Sequence, residues 1–131
     1  MPYLLCNSGV IIDSCGWLEW FIDGELADDY EKYLADPDQL LIPTIIIYEV
    51  YNVLKREIGE DKALLATAYM KESLVIPLDE FLALAAADIA LQNSLAMADA
   101  IIIATAHAYN CKVITSNSDL KDQKSVEYLP K

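Results

Sequence analysis

Short apolar runs alternate along the chain with longer segments in which apolar residues recur every three or four positions. Runs rich in β-branched residues are typical of strands buried on both faces, and the longer spacing is typical of amphipathic helices. The pattern predicts four strands and a final edge strand, at 10–13, 40–42, 74–76, 112–115 and 126–129. It predicts helices at about 14–22, 25–35, 45–58, 60–73, 79–93 and 97–109.

Turn-forming and short polar residues mark the ends of these elements. Ser, Thr and Asp favour the residue before a helix, where the side chain accepts a hydrogen bond from a free backbone N–H. Gly59 suits the position after the third helix, and Asn110 suits a left-handed end of the last one. The predicted N-caps are Asp13 or Ser14, Thr44 and Asp79.

Strands that alternate with helices form βαβ units and a parallel sheet with right-handed crossovers. Because helices outnumber strands, we expect a three-layer α/β/α fold with a small, mainly parallel central sheet of 4–5 strands. At 131 residues the chain is long enough to bury a proper core, and we expect one domain covering 1–131. Residues 1–9 are predicted to be a lead-in to the first strand.

The composition restricts the function. A hydrophobic content of 55% argues against disorder, and a net charge of −12 argues against non-specific coating of DNA or RNA. The same charge is compatible with a nuclease whose carboxylates hold cations, or with a basic protein partner. The few basic residues are partly grouped, as in the neighbouring pair Lys55 and Arg56.

The sequence also predicts the compartment. Cys6, Cys15 and Cys111 form no CxxC pair, so neither a disulfide framework nor a zinc knuckle is expected, and a reducing cytoplasm is the predicted location. No cationic segment precedes an apolar run as in a signal peptide. The longest apolar window, 95–106, carries Asp99 and is too short to span a bilayer, so we expect no membrane association.

Three carboxylates stand alone in uncharged segments. Asp13, Glu49 and Asp99 are each the only charged side chain in their part of the sequence, whereas the other acids come mostly in clusters. A single ionised carboxylate in apolar surroundings is costly unless it pairs with a cation, takes up a proton or binds a metal. Each acid taken alone is also compatible with a helix cap or a buried ion pair. Apart from these three acids, the segments 1–18, 39–54 and 89–111 carry no charged side chain.

Their predicted positions favour a common site. Asp13 ends the first strand, Glu49 lies early in the helix after the second, Asp99 begins the helix before the fourth, and Asp119 with Asn117 follows the fourth. Because ligands of open α/β sheets bind outside the carboxyl ends of strands, we expect these side chains to converge. Oxygen-rich clusters hold Mg²⁺ or Mn²⁺, which activate water and stabilise in-line phosphoryl transfer.

Four sequence blocks resemble the PIN-domain ribonucleases, and among them the VapC-type toxins of toxin–antitoxin modules. The blocks are IDSCGWLE at 12–19, PT-(x4)-E at 43–49, DAIIIATA at 99–106 and ITSNSDL at 114–120. They span nearly the whole chain in the expected order. The final block of the family usually reads Thr-x-Asp-x-Asp followed by Phe, whereas this chain has Asn117 at the first Asp and Leu120 at the Phe.

The resemblance implies a metal-dependent endoribonuclease of structured RNA, such as tRNA or rRNA, with Mg²⁺ or Mn²⁺ as cofactor. It also implies a cognate antitoxin that blocks the site, and a homodimer of toxins. The expected metal ligands are Asp13, Glu49, Asp99 and Asp119. Asn117 completes the expected catalytic set, as a hydrogen-bond acceptor or carbonyl ligand without charge.

Two other functions remain open. Asn117 is compatible with a catalytically weak or inactive PIN-like protein that acts by binding. A metal phosphohydrolase acting on small phosphate esters is the second alternative, although the four glycines form no phosphate-binding loop. The aromatic residues also allow two interpretations, because Trp17, Trp20, Tyr48 and Tyr51 could stack on unpaired bases or pack in a core or dimer interface.

Overall fold

The structure is a computed structural model that describes residues 9–131. Cys6 and the predicted lead-in, apart from Gly9, lie outside the described residues. The strands are β1 (Val10–Ile12), β2 (Leu41–Pro43), β3 (Leu74–Ile76), β4 (Lys112–Thr115) and β5 (Val126–Tyr128). The α-helices are α1 (Ser14–Phe21), α2 (Ala27–Leu34), α3 (Thr44–Glu57), α4 (Glu60–Met70), α5 (Glu80–Asn93) and α6 (Met97–Tyr109).

All strand pairs in the described part of the chain are parallel. β1 pairs with β4, β4 with β5, and β2 with β3. A single parallel bridge between Val10 and Leu40 joins the two groups, which gives the strand order β3-β2-β1-β4-β5. The register sets Ile12 opposite Ile114, so β1 and β4 end side by side. This arrangement confirms the predicted α/β class with a mainly parallel sheet and β5 at its edge.

The central strands are buried on both faces, as expected when helices cover both sides of a parallel sheet. Every residue of β1 and β2 is buried. Trp17 of α1 and Tyr30 of α2 are among the largest fully buried side chains. Gly16 allows this packing, because a Cβ at this position would lie 2.6 Å from Cγ2 of Ile12 and even nearer to the Tyr30 ring.

The helix ends agree with most of the predicted caps. The side chain of Asp79 accepts a hydrogen bond from the N–H of Leu82, and Asn110 is left-handed with φ 54°. Gly59 follows the C-cap of α3 with φ 132°, a conformation that side chains rarely tolerate. The predicted Thr44 cap is wrong: β2 continues through Pro43, which is itself the N-cap, so Thr44 is already helical and caps nothing.

Short 3₁₀ turns lie in two of the segments between the predicted strands and helices. One covers Pro37–Gln39 and the other covers Ser118–Leu120, inside the polar segment that follows β4. No individual helix within residues 9–131 combines enough length and apolar character to cross a membrane, and only α5 and α6 taken together, bent by 115°, meet those criteria.

Candidate functional site

Asp13 occupies the junction of β1 and α1 at the carboxyl end of the sheet. Its carboxylate accepts hydrogen bonds from the backbone N–H of Ser14 at 2.8 Å and from the Thr115 hydroxyl at 2.7 Å. The side chain is buried, and this burial raises the pKa of Asp13, whereas the bonds from Thr115 and Ser14 lower it. Asp13 therefore ends a strand, caps a helix and is fixed by the neighbouring strand.

Glu49 of α3 and Asp99 of α6 lie within electrostatic reach of Asp13. Burial is the largest cause that raises the pKa of Glu49, followed by the charge of Asp13, while hydrogen bonding from Ser14 lowers it. Burial also raises the pKa of Asp99, followed by the charges of Asp13 and Asp119, while Asn117 lowers it. The structure therefore brings the three isolated carboxylates into one region, where the charge of Asp13 makes ionisation of the other two more difficult.

Asn117 and Asp119 form the outer side of this region. The Asn117 side-chain amide donates to both carboxylate oxygens of Asp99 at 3.4 Å, and its oxygen accepts from the Asp119 N–H at 3.0 Å. The Asn117 N–H donates in turn to the Thr115 hydroxyl at 2.9 Å. Asp119 itself is exposed. Asn117 thus connects Asp99 to the loop after β4.

No basic side chain in the described chain forms an ion pair with any of these four acids. Within residues 9–131, no three His, Cys, Asp or Glu side chains are close enough together to ligate one metal ion directly. The arrangement still fits Mg²⁺, because this ion keeps several waters and is usually held by one or two carboxylates. Oε1 of Glu49 is buried without a hydrogen-bond partner, which is a further sign of an unsatisfied, all-oxygen site.

Two neighbouring side chains were not recognised from the sequence. The Tyr30 hydroxyl hydrogen-bonds to the Ser116 hydroxyl at 2.6 Å, and the Cys15 sulfur accepts from the Ser116 N–H at 3.4 Å. Burial and the charge of Asp13 raise the pKa of the Cys15 thiol. The amphipathic pattern of the predicted helix at 25–35 carries no signal for the hydroxyl partner of Tyr30, which lies far away in the sequence.

Glu19 is a buried acid outside this region. Its carboxylate accepts from the Leu26 N–H at 2.6 Å and from Nζ of Lys131 at 2.6 Å. These bonds hold the pKa of Glu19 below its ordinary value. Unlike the three isolated acids, Glu19 has a cationic partner, so its negative charge is already balanced.

The comparisons with known proteins agree with this fold. A family model of the PIN domain matches residues 10–125. A toxin–antitoxin complex from Klebsiella pneumoniae is 23% identical with a TM-score of 0.77, over 91% of this chain and 96% of that chain. VapC20 from Mycobacterium tuberculosis, described as a sarcin-ricin loop cleaving toxin, is 15% identical with a TM-score of 0.77, over 93% and 100%.

A third similar structure is DNA-bound VapBC from Salmonella typhimurium, which is 12% identical with a TM-score of 0.74, over 93% of this chain and 97% of that chain. A search of curated protein sequences gave no match. At these identities the solved structures show the fold, whereas the family model covers most of the chain. The chain belongs to the PIN domain family, which confirms the resemblance carried by its four sequence blocks.

Proposed function

We propose that this chain is a divalent-cation-dependent endoribonuclease, the toxin of a toxin–antitoxin module, which acts in the cytoplasm as a single domain. Membership of the PIN domain family supports a nuclease. The similar structures support the toxin assignment, since one is a toxin–antitoxin complex and another is described as cleaving the sarcin-ricin loop. We extend this to structured RNA, such as tRNA or rRNA, as the substrate.

The observation that carries the proposal is the unbalanced negative charge around Asp13. Burial raises the pKa values of Asp13, Glu49 and Asp99, the charge of Asp13 raises those of Glu49 and Asp99 further, and no ion pair within residues 9–131 offsets these effects. A divalent cation removes this repulsion and supplies the charge that an approaching phosphodiester needs. Without a cation, the same carboxylates repel the RNA backbone.

Each side chain has a proposed role. Asp13, Asp99 and Asp119 hold Mg²⁺ or Mn²⁺, directly or through water, and the bound ion supplies charge stabilisation for in-line hydrolysis of a phosphodiester. The free Oε1 of Glu49 accepts a hydrogen bond from the attacking water, or helps to hold a second ion. Thr115 orients Asp13, and Asn117 orients Asp99, through the hydrogen bonds described above.

Two protein partners complete the proposal: an antitoxin and a second copy of this chain. The net charge of −12 favours a basic segment in the antitoxin, since that segment would also neutralise the acids of the site. Exposed apolar side chains on α5 support a protein interface, because soluble monomers rarely expose many large apolar groups on one face. These side chains are Phe81, Leu84 and Leu91.

The test is RNA cleavage by the purified chain with Mg²⁺, Mn²⁺ or EDTA. We expect cleavage with either cation, none in EDTA, and a loss of at least about 100-fold in Asp99→Asn. Asp61→Asn is the matched control, because Asp61 is an exposed acid in the first turn of α4, as Asp99 is in the first turn of α6, and the substitution removes the same charge. Equal cleavage by Asp99→Asn and the wild type contradicts the proposal.

The alternatives predict other outcomes of the same experiment. A PIN-like binding protein leaves RNA intact at every cation concentration and still binds its protein partner. A small-molecule phosphohydrolase leaves RNA intact but releases nitrophenol from nitrophenyl phosphate when the cation is present. Asn117→Asp separates a weakened nuclease from a non-nuclease, because restoring the acid of the usual motif should raise cleavage only if the site is catalytic.

A further inference from the structure

We infer that one face of α3 binds unpaired nucleotides of the RNA substrate next to the cleaved phosphate. This α3 face consists of Tyr48, Tyr51, Asn52, Lys55 and Arg56, which line a surface concavity of about 600 Å³. The inference rests on the proposed function, because it names how the same site holds its substrate.

The aromatic residues supply a stacking surface. Tyr48 is 64% exposed and is the only large apolar side chain that α3 exposes. Tyr51 is half-buried, and Nζ of Lys55 lies 5.5 Å from the centre of its ring. Exposed aromatic rings beside cationic groups are the usual elements of single-strand binding, since a base stacks on the ring while the cation contacts the backbone.

The cationic residues of the face are available to a phosphate. Arg56 is the only arginine in the sequence. It contacts Glu57 at 3.0 Å, and Lys55 contacts Glu60 at 3.2 Å, with all four side chains at least half exposed. Exposed ion pairs of this kind contribute little free energy, so a phosphate can replace the carboxylates. The planar guanidinium of Arg56 also suits a phosphate oxygen pair.

The helix connects this face to the candidate site. Glu49, Asn52 and Arg56 are spaced three and four residues apart and therefore form one stripe along α3. Nη1 of Arg56 donates to the Asn52 side chain at 3.0 Å, which continues the stripe. Seven residues of helix rise about 10 Å, so Arg56 lies roughly one or two extended nucleotides from Glu49.

The face fits RNA better than a second copy of the chain. Its residues are aromatic, amide and cationic, whereas the exposed aliphatic side chains lie mainly on other helices, such as Leu65 on α4 and Leu84 on α5. In a chain with a net charge of −12, two adjacent cations beside two tyrosines form an unusual surface. An RNA strand with unpaired bases matches both kinds of group, because its bases stack on the tyrosines and its phosphates contact the cations.

The test is binding of a fluorescein-labelled single-stranded RNA, followed by fluorescence anisotropy with Mg²⁺ present. All variants carry Asp99→Asn so that the RNA stays intact. Tyr48→Ala should weaken binding by about 5- to 150-fold, because one base loses its aromatic stacking partner, whereas Tyr48→Phe should bind within about twofold. Arg56→Gln should lower the slope of log affinity against log salt by about 0.7, the contribution of one phosphate contact.

Three results overturn the inference: unchanged binding by Tyr48→Ala, equal losses in Tyr48→Ala and Tyr48→Phe, or a changed oligomeric state in sedimentation with unchanged RNA affinity. The last result assigns the face to a second copy. Failure of the proposed function is distinguishable. If the wild type cuts RNA and Tyr48→Ala without the Asp99 substitution cuts it equally well, only the inference fails. If the wild type never cuts RNA but Tyr48→Ala loses binding, the proposed nuclease function fails, whereas the binding of unpaired nucleotides by the α3 face stands.

Discussion

Replacing Thr115 by valine removes one hydroxyl from the middle of the candidate site and changes little else. Thr115 is fully buried at the end of β4, and its hydroxyl donates to Asp13 at 2.7 Å and accepts from the Asn117 N–H at 2.9 Å. Valine fills the same volume but can do neither. The variant Thr115→Val therefore leaves a buried carboxylate with one hydrogen bond fewer and a backbone N–H without a partner.

The expected loss follows from these two bonds. A hydrogen bond to a charged group contributes about 1.5–3 kcal/mol, and a neutral one about 0.5–1.5 kcal/mol. Thr115→Val should therefore lower the free energy of unfolding by about 2–4 kcal/mol at neutral pH. This is a large fraction of the stability of an ordinary domain, which is about 5–15 kcal/mol.

The loss should depend on pH in a defined direction. Burial raises the pKa of Asp13, and the Thr115 hydroxyl lowers it, so the variant has an Asp13 with a still higher pKa. The hydroxyl donates a stronger hydrogen bond to the ionised carboxylate than to the protonated one. The difference in stability is therefore largest where Asp13 is ionised, and it decreases as the pH falls through the raised pKa and the group takes up a proton.

Urea unfolding between about pH 8 and about pH 5 measures both effects. Thr105→Val is the matched control, because Thr105 is 1% exposed and its hydroxyl donates to the Ile101 carbonyl within α6. The control should lose at most about 1 kcal/mol, with no pH dependence. If both variants lose the same free energy at every pH, the Thr115 hydroxyl does not support the Asp13 carboxylate, and the reasoning fails.

Four further predictions follow from the structure. Gly16→Ala should lower the free energy of unfolding by about 1–3 kcal/mol in urea, because its methyl group overlaps the Tyr30 ring, and unchanged stability would contradict the close approach. Tyr30→Phe should cost about 1 kcal/mol and reduce kcat for RNA with little change in KM, because the hydroxyl holds Ser116 rather than substrate. Glu19→Gln should destabilise the chain at pH values above the ordinary carboxyl pKa. The difference in melting temperature between this variant and the wild type should vanish as the pH falls through the lowered pKa of Glu19. Mn²⁺ should raise the melting temperature, by more as the pH rises, because the cation competes with protons for acids whose pKa values are raised; a rise that is independent of pH would argue against binding at these acids.

Hydrophobic periodicity predicted the order and type of every strand and α-helix that the structure describes, because nearly every element buries at least one face. It did not predict where the last turns unwind. The helix expected to continue to Ser73 ends at Met70, where the backbone tightens into bonds three residues apart, from Glu72 to Tyr69 and from Ser73 to Met70. The extension of β2 through Pro43 depends on its pairing with Ile76, a neighbour that local sequence does not reveal.

Isolated charge predicted which acids lie together, because a lone carboxylate in an apolar segment needs a special environment. The expectation that the four acids hold a cation, directly or through water, remains a prediction. Within residues 9–131 the acids interact electrostatically, but no three carboxylates lie close enough together to bind one ion directly. The bonds of Thr115 to Asp13 and of Tyr30 to Ser116 join elements far apart in sequence. The final sequence block predicts that Thr115 orients a carboxylate or a water, but no local pattern predicts the contact of Tyr30 with Ser116.

Asp13 has both a structural and a proposed chemical role, which affects how inactive variants should be designed and interpreted. Its carboxylate caps α1 and bonds to β4, so substitution there removes a helix cap worth about 0.5–2 kcal/mol in addition to any chemistry. An inactive Asp13 variant is therefore ambiguous, because a misfolded chain and a folded chain without activity are both non-toxic in cells. Asp99 is half-buried on the first turn of α6 and caps nothing, so it is the better position for a safe, folded reagent with which to isolate partners.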